Sequence, residues 1–253
     1  MTYLIFALIG LLLGGVINLL SDDLPARRSP SLPHCHADSC THRYTPSGWL
    51  AIGRYLFHRG KCPTCGEPER KRPILVEVAN ALIWGLLPLA VPTSNLPAFL
   101  IIALYLTILL LVIVIDMEHK LILHVVTVPT TLAAILLFSW FLPDITIRSA
   151  ALGALTGFLI FFVFFWIGER FFGQGALGFG DVTLSMTMGG MLGFPFIIPA
   201  LVIGILLGGI LSGLLLMTRL VNRNSYLPYG PYLAIAGMIM LVWGQPILDW
   251  YFS

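Results

Sequence analysis

Eight runs of mostly apolar residues, all but the sixth near the length that crosses a bilayer, constrain this chain more than any other feature. A spanning helix needs about 20 such residues, and the runs cover 3–20, 74–91, 96–115, 121–142, 149–167, 182–194, 196–218 and 232–249. With 58% apolar and only 10% charged side chains, and a mean hydropathy of +0.92, a 253-residue chain carries more apolar surface than a soluble domain buries. The expected fold class is therefore an all-α polytopic membrane protein of about eight transmembrane helices. The sixth run is short and stops at Pro195, so the sixth and seventh form either two spans joined by a tight turn or one long kinked segment. The first run is expected to remain attached, because no Lys or Arg precedes it and no small-residue cleavage site follows.

Basic residues orient the array. With Arg27 and Arg28 directly after the first run, alternating spans put thirteen of the fourteen Lys and Arg residues on one side and leave Arg148 on the other. The positive-inside rule makes that crowded side cytosolic and the amino terminus periplasmic. The net charge of +2 thus reports topology and gives no reason to expect a nucleic-acid partner. Three parts result: a first helix at 1–20, a polar loop domain at 21–73 and a seven-helix membrane core at 74–253.

The loop domain holds all four cysteines and four of the six histidines, among prolines that include Pro25, Pro30, Pro33 and Pro46. Cys62-Pro-Thr-Cys65-Gly is a compact knuckle, and the pair Cys35 and Cys40 precedes it by about 22 residues. Two such pairs read as a zinc-ribbon-like site, since four thiolates complete a tetrahedral zinc and a cytosolic loop disfavours disulfides. The gap within the first pair is longer than the usual two residues, so a neighbouring His34, His36 or His42 could replace one thiolate; four unliganded cysteines are the plain alternative. Such a site would be structural, because four protein ligands leave no position for a substrate.

Of twelve acidic residues, Glu77, Asp116, Glu118, Glu169 and Asp181 fall at or inside membrane boundaries. Ionisable groups there mark functional sites by default, although an aspartate at headgroup level costs little and can be incidental. Asp181 ends Gly178-Phe-Gly180-Asp181, whose glycines let a substrate chain approach the backbone. Topology puts Asp116, at the cytosolic end of the third span, and Asp181, at the cytosolic start of the sixth, on one membrane face at similar depth. Two facing carboxylates do not both ionise cheaply, so one keeps a proton for a scissile carbonyl while the other activates water. Glu118, two residues from Asp116, points elsewhere on a helix, and only a bend would bring it in. His119 and His124 are five apart, which excludes a zinc-protease helix, and a lone Gly-x-Gly is too weak for a dinucleotide site. Glycine pairs at 153/157, 189/193, 204/208 and 209/213 are expected to pack helices closely, and Met186, Met188 and Met191 to fill core.

Together these residues resemble the bacterial prepilin peptidases, membrane aspartic proteases of type IV pilus and type II secretion systems. The likeness runs through Gly14-Gly-Val-Ile-Asn18, Leu24-Pro25, the cysteine loop, Arg72-Pro73-Ile-Leu-Val-Glu77, Ile115-Asp116-Met-Glu118-His119, Gly178-Phe-Gly180-Asp181 and Pro228-Tyr-Gly230-Pro231. The resemblance implies Asp116 and Asp181 as the catalytic pair, prepilins or pseudopilins with short basic leaders as substrates, and an inner-membrane enzyme whose active site faces the cytosol. It also implies a second activity, methylation of the new amino terminus with S-adenosylmethionine, associated with the cysteine loop and the Glu77 region. This chain departs from the family pattern in three places: Ile122-Leu123-His124 replaces Leu-Pro-Asp or Ile-Pro-Asn, Asp23 replaces an arginine before Leu-Pro, and the Cys35 to Cys40 gap is enlarged. Rival readings are an intramembrane aspartyl protease of the preflagellin or presenilin-like type, and a transporter whose membrane acids carry ions.

Overall fold

A computed structural model describes residues 1–35, 40, 42–44, 48–58, 60–172, 178–218 and 228–252. His36, Arg59, Arg219 and Arg223, and most of the Gly- and Pro-rich stretches at 173–181 and 222–231, lie outside the described residues. Among the described residues the fold is all-helical, with two isolated antiparallel bridges and no strand. The chain divides into two compact units, Met1–Pro92 and Thr93–Ser253.

In the first unit, α1 (Thr2–Asp23) packs along α3 (Arg72–Leu86), while the short α2 (Ala51–His58) sits against α3. The α1–α3 contact is close because α1 presents glycines: a Cβ on Gly10 would lie 2.6 Å from the Asn80 carbonyl oxygen, and one on Gly14 would lie 2.7 Å from the Glu77 Cα. Lipid is as apolar as leucine, so such backbone approach, with its dispersion contacts, holds helices together where burial alone cannot. The Asn80 amide adds a 2.7 Å bond to the Gly10 carbonyl across the same seam.

The second unit contains α4 (Leu96–His119), α5 (His124–Leu136), α6 (Ile147–Phe172), α7 (Phe179–Leu192), α8 (Ile197–Met217) and α9 (Gly230–Phe252). Its centre is α7, packed against α5, α6, α8 and α9. Eleven of its fourteen residues are buried, so beyond Phe179 at its start it leaves little surface for lipid. Helices buried all round can be short, because their neighbours rather than the bilayer satisfy their surface. The α6–α7 seam is built from Gly153, Gly157 and Gly189, where any Cβ would collide with a carbonyl of the facing helix. Gly204 and Gly208 likewise admit Leu233 and Tyr229, whereas a Cβ on Gly209 or Gly213 would meet nothing within 4 Å. The expected close packing therefore holds for three glycine pairs and not for the fourth.

Among the described residues six helices are long and apolar enough to cross a membrane: α1, α3 with its following turn, α4, α6, α8 and α9. The remaining two of the eight expected spans fall on shorter helices, α5 and α7, of 13 and 14 residues, of which α5 with its following turn is apolar. The alternatives at Pro195 resolve as two helices, since α7 ends at Gly193 with φ of +73° and α8 begins at Ile197.

Candidate active site

The five boundary acids part into two classes. Glu118 and Glu169 are exposed, whereas Glu77, Asp116 and Asp181 are 0%, 3% and 3% exposed. Glu77 belongs to the first unit and the two aspartates to the second.

Asp116 occupies the last turn of α4. The helix continues unbent to His119, and Lys120 then reverses the chain in the left-handed conformation, its N–H donating to the Asp116 carbonyl. Straight continuation leaves Glu118 on the outside. Asp181 lies in the first turn of α7, where the Asp181 N–H donates to the Gly178 carbonyl at 3.0 Å and the open helix end favours a negative group. The two carboxylates are close enough to act on one another electrostatically. Asp116 Oδ2 and Asp181 Oδ1 are each buried without a hydrogen-bond partner. Buried polar atoms are rarely left so, and two orphaned carboxylate oxygens in one region single it out as the candidate site.

Three neighbours shape this region. The first turn of α9 brings the Gly230 N–H to the Asp116 carboxylate, and a Cβ at Gly230 would lie 2.6 Å from Asp116 Oδ2 and 3.0 Å from Ile122 Cδ1. Ile122 also fills the space over Gly180, whose Cβ would lie 2.7 Å from Ile122 Cβ, so one side chain gauges both glycine turns. Tyr229 stands within electrostatic reach of Asp181 and rests against Phe161. Below, a ladder of hydroxyls ties α5 to α7: Thr131 donates to Thr187 Oγ1 at 2.9 Å, and Thr187 contacts the Thr127 and Thr183 carbonyls at 3.1 and 2.8 Å. His124, where the resembled family has Asp or Asn, pairs its Nδ1 with Thr183 Oγ1 at 3.2 Å, while Thr183 donates to the Gly180 carbonyl at 2.9 Å. Sequence reading does not find these partners, because residues 59 positions apart meet only through helix packing.

In the first unit, Cys35, Cys40, Cys62 and Cys65 gather with all four Sγ atoms within 4.8 Å of one another. Cys35 and Cys65 stand 3.6 Å apart and Cys40 and Cys62 3.9 Å. Four sulfurs at about 2.3 Å from one tetrahedral zinc would be separated by about 3.8 Å, so the cluster fits the ion. Two small hairpins supply it, bridged at His34–Arg43 and Lys61–Pro68, and Gly66 takes φ of +74° directly after the second knuckle cysteine. Burial opposes ionisation of Cys62, but the Cys65 and Thr64 N–H groups and the adjoining thiols outweigh it and lower its pKa from 9.0 to about 6. That favours the thiolate a metal requires.

Glu77 is not an open acid. Its Oε1 accepts from the Ala51 N–H at 2.7 Å and from Asn18 Nδ2 at 3.3 Å, and its Oε2 from the Ile52 N–H at 3.0 Å. It therefore caps α2 from a neighbouring helix and docks the cysteine-bearing segment onto α1 and α3.

Comparison with known proteins agrees with this architecture. The type IV leader peptidase family model matches residues 102–213, and the bacterial peptidase A24 N-terminal domain model matches 8–91. A prepilin leader peptidase/N-methyltransferase of Aeromonas hydrophila is 30% identical over 224 residues, covering 88% of this chain and 76% of its own. Proteins of the same name from Pseudomonas aeruginosa and Burkholderia pseudomallei are 29% and 30% identical, covering 96% and 89% of this chain and 91% and 72% of theirs. No solved structure matches. With two family models falling on its two units and relatives aligned along most of its length, the chain belongs to the type IV leader peptidase family and is a multi-pass membrane protein.

Proposed function

We propose that this protein is a membrane aspartic endopeptidase that removes the leader peptide from type IV prepilins or type II secretion pseudopilins, with Asp116 and Asp181 as its catalytic pair. One observation carries the reading: two buried carboxylates from different helices interact, and each keeps an oxygen without a partner. One carboxyl group, protonated, donates to the scissile carbonyl oxygen while the other, ionised, takes a proton from water. The water oxygen then adds to the carbonyl carbon, and the intermediate breaks with a proton passing to the leaving nitrogen. The Gly230 N–H holds Asp116 in place, and the His124–Thr183 contact holds the turn that carries Asp181.

The same reading has the enzyme in the bacterial inner membrane, with its amino terminus periplasmic and both the aspartates and the cysteine loop facing the cytosol, where leaders emerge. It keeps the three-part organisation of anchor helix at 1–20, loop domain at 21–73 and peptidase core at 74–253. Zinc held by Cys35, Cys40, Cys62 and Cys65 would staple the loop domain, which has too little apolar content to fold on a core of its own. The relatives' names include N-methyltransferase activity, and S-adenosylmethionine is the proposed donor for that second reaction. A cleft beside Asp23 offers only about 20 Å³ and does not fit an adenosyl group, so no residue is assigned to the donor.

Co-expression with a prepilin tests the assignment. Asp116→Ala and Asp181→Ala should each abolish leader removal at unchanged membrane abundance; substantial cleavage by either variant overturns it.

A further inference from the structure

Tyr229 directly precedes the glycine whose N–H reaches Asp116, and its carbonyl accepts the Tyr232 and Leu233 N–H groups at 3.2 and 3.4 Å as α9 begins. Its ring is held from two sides. Gly208 on α8 leaves a notch for it, since a Cβ there would lie 2.6 Å from Tyr229 Cε2, and the buried Phe161 ring on α6 stands 6.1 Å away between centroids. Held so, the half-buried side chain has little freedom in where it puts its hydroxyl oxygen. That group feels the charge of Asp181, yet it hydrogen-bonds neither Asp181 nor any other described residue, and Asp181 Oδ1 and Asp116 Oδ2 are unbonded as well. Other donors in the region are engaged: the Gly230 N–H with Asp116, the Asp181 N–H with the Gly178 carbonyl, and the Thr183 hydroxyl with the Gly180 carbonyl.

We infer that Tyr229 is a third catalytic residue, whose hydroxyl donates a hydrogen bond to the carbonyl oxygen of the peptide bond that Asp116 and Asp181 attack. The inference rests on the proposed peptidase function. A carbonyl oxygen has two lone pairs, one for the protonated carboxyl group and one for a phenol, and a phenol is a neutral donor at ordinary pH. Tyr229 therefore keeps its proton throughout, and the proton transfers stay with the two aspartates. Its hydrogen bond strengthens as water adds and charge moves onto the oxygen, so it lowers the barrier more than it tightens substrate binding. Two other roles give different outcomes. If the ring only fills the space against Phe161 and Gly208, phenylalanine serves as well; if the hydroxyl serves Asp181 instead, its loss changes how that carboxyl group titrates.

The test compares full-length protein with Tyr229→Phe, which keeps the ring, both in nanodiscs with one prepilin. Loss of one such donor should lower kcat by about 100-fold or more and leave KM within about threefold, with the pH profile of kcat unmoved. A leader-peptide analogue bearing a difluoroketone, whose hydrate presents the oxygens of the intermediate, should inhibit the variant about 100-fold more weakly. An analogue whose scissile amide is reduced to an amine has no carbonyl and should bind both proteins equally, which also verifies that the variant is folded. Cleavage by Tyr229→Phe within about threefold of the unsubstituted protein, a loss carried by KM, or equal inhibition by the difluoroketone overturns the inference. A shifted pH profile overturns it in favour of a role at Asp181, and weaker binding of the reduced analogue in favour of packing. If the unsubstituted protein cleaves no prepilin, the peptidase reading fails and this inference with it, whereas cleavage indifferent to Tyr229→Phe removes this inference alone.

Discussion

Replacing Gly230 with alanine perturbs one catalytic candidate through a single methyl group. The new Cβ would lie 2.6 Å from Asp116 Oδ2 where ordinary contact begins near 3.4 Å, so about 0.8 Å of displacement is required. Ile122 Cδ1 at 3.0 Å and the Asp116 Cγ at 3.2 Å block the simplest escapes, which leaves rotation of the carboxylate away from the Gly230 N–H. A misplacement of about 1 Å at reacting groups costs roughly 100-fold in rate, or about 2.7 kcal/mol. Stability should not fall in parallel, because the backbone at Gly230 is not left-handed and accepts alanine without strain of its own. The assay is the rate of prepilin cleavage by purified protein in lipid nanodiscs, with Gly209→Ala as control, since a Cβ there meets nothing within 4 Å. Cleavage by Gly230→Ala within threefold of the unsubstituted protein would refute the reasoning.

Other consequences follow from the same contacts. His124→Ala should slow cleavage roughly tenfold by freeing Thr183, and His124→Asn, which retains a side-chain hydrogen-bonding group there, should recover most of the rate in the same assay. Glu77→Ala strands the Ala51 and Ile52 N–H groups, at about 1–3 kcal/mol for each buried group left unsatisfied, so limited proteolysis should cut near residues 48–58 far faster than before. Purified protein should carry about one zinc per chain by elemental analysis, as four converging thiols imply, and Cys62→Ser should lose most of it.

What the sequence makes legible is whatever depends on composition over long windows or on fixed local spacing. Apolar runs locate the helices, and the run at 182–194 is visibly too short for an ordinary span, as a helix enclosed by neighbours is allowed to be. Asp116 and Asp181 stand out as candidates because acids are scarce at the ends of such runs. The cysteine spacing shows two pairs, though not that all four sulfurs come within 4.8 Å of one another, since that depends on how the two segments fold together. Long-range partners stay hidden. Gly230 meets Asp116 only after α4 and α9 pack together, and Glu77 meets the α2 amides only after α1, α2 and α3 assemble. Nor does sequence distinguish the glycine pairs that admit a neighbouring backbone from the pair at 209/213 that faces open space.

The most direct measurement is the cleavage rate of Asp116→Asn, Asp181→Asn and the double variant, each reconstituted in nanodiscs with one prepilin and read by mass spectrometry of the mature terminus. If the two carboxylates work as one unit, each single substitution should slow cleavage by at least about 1,000-fold and the double should be no slower than the worse single. A single variant retaining a tenth of the rate, or a double whose loss is the product of the two single losses, would contradict the account.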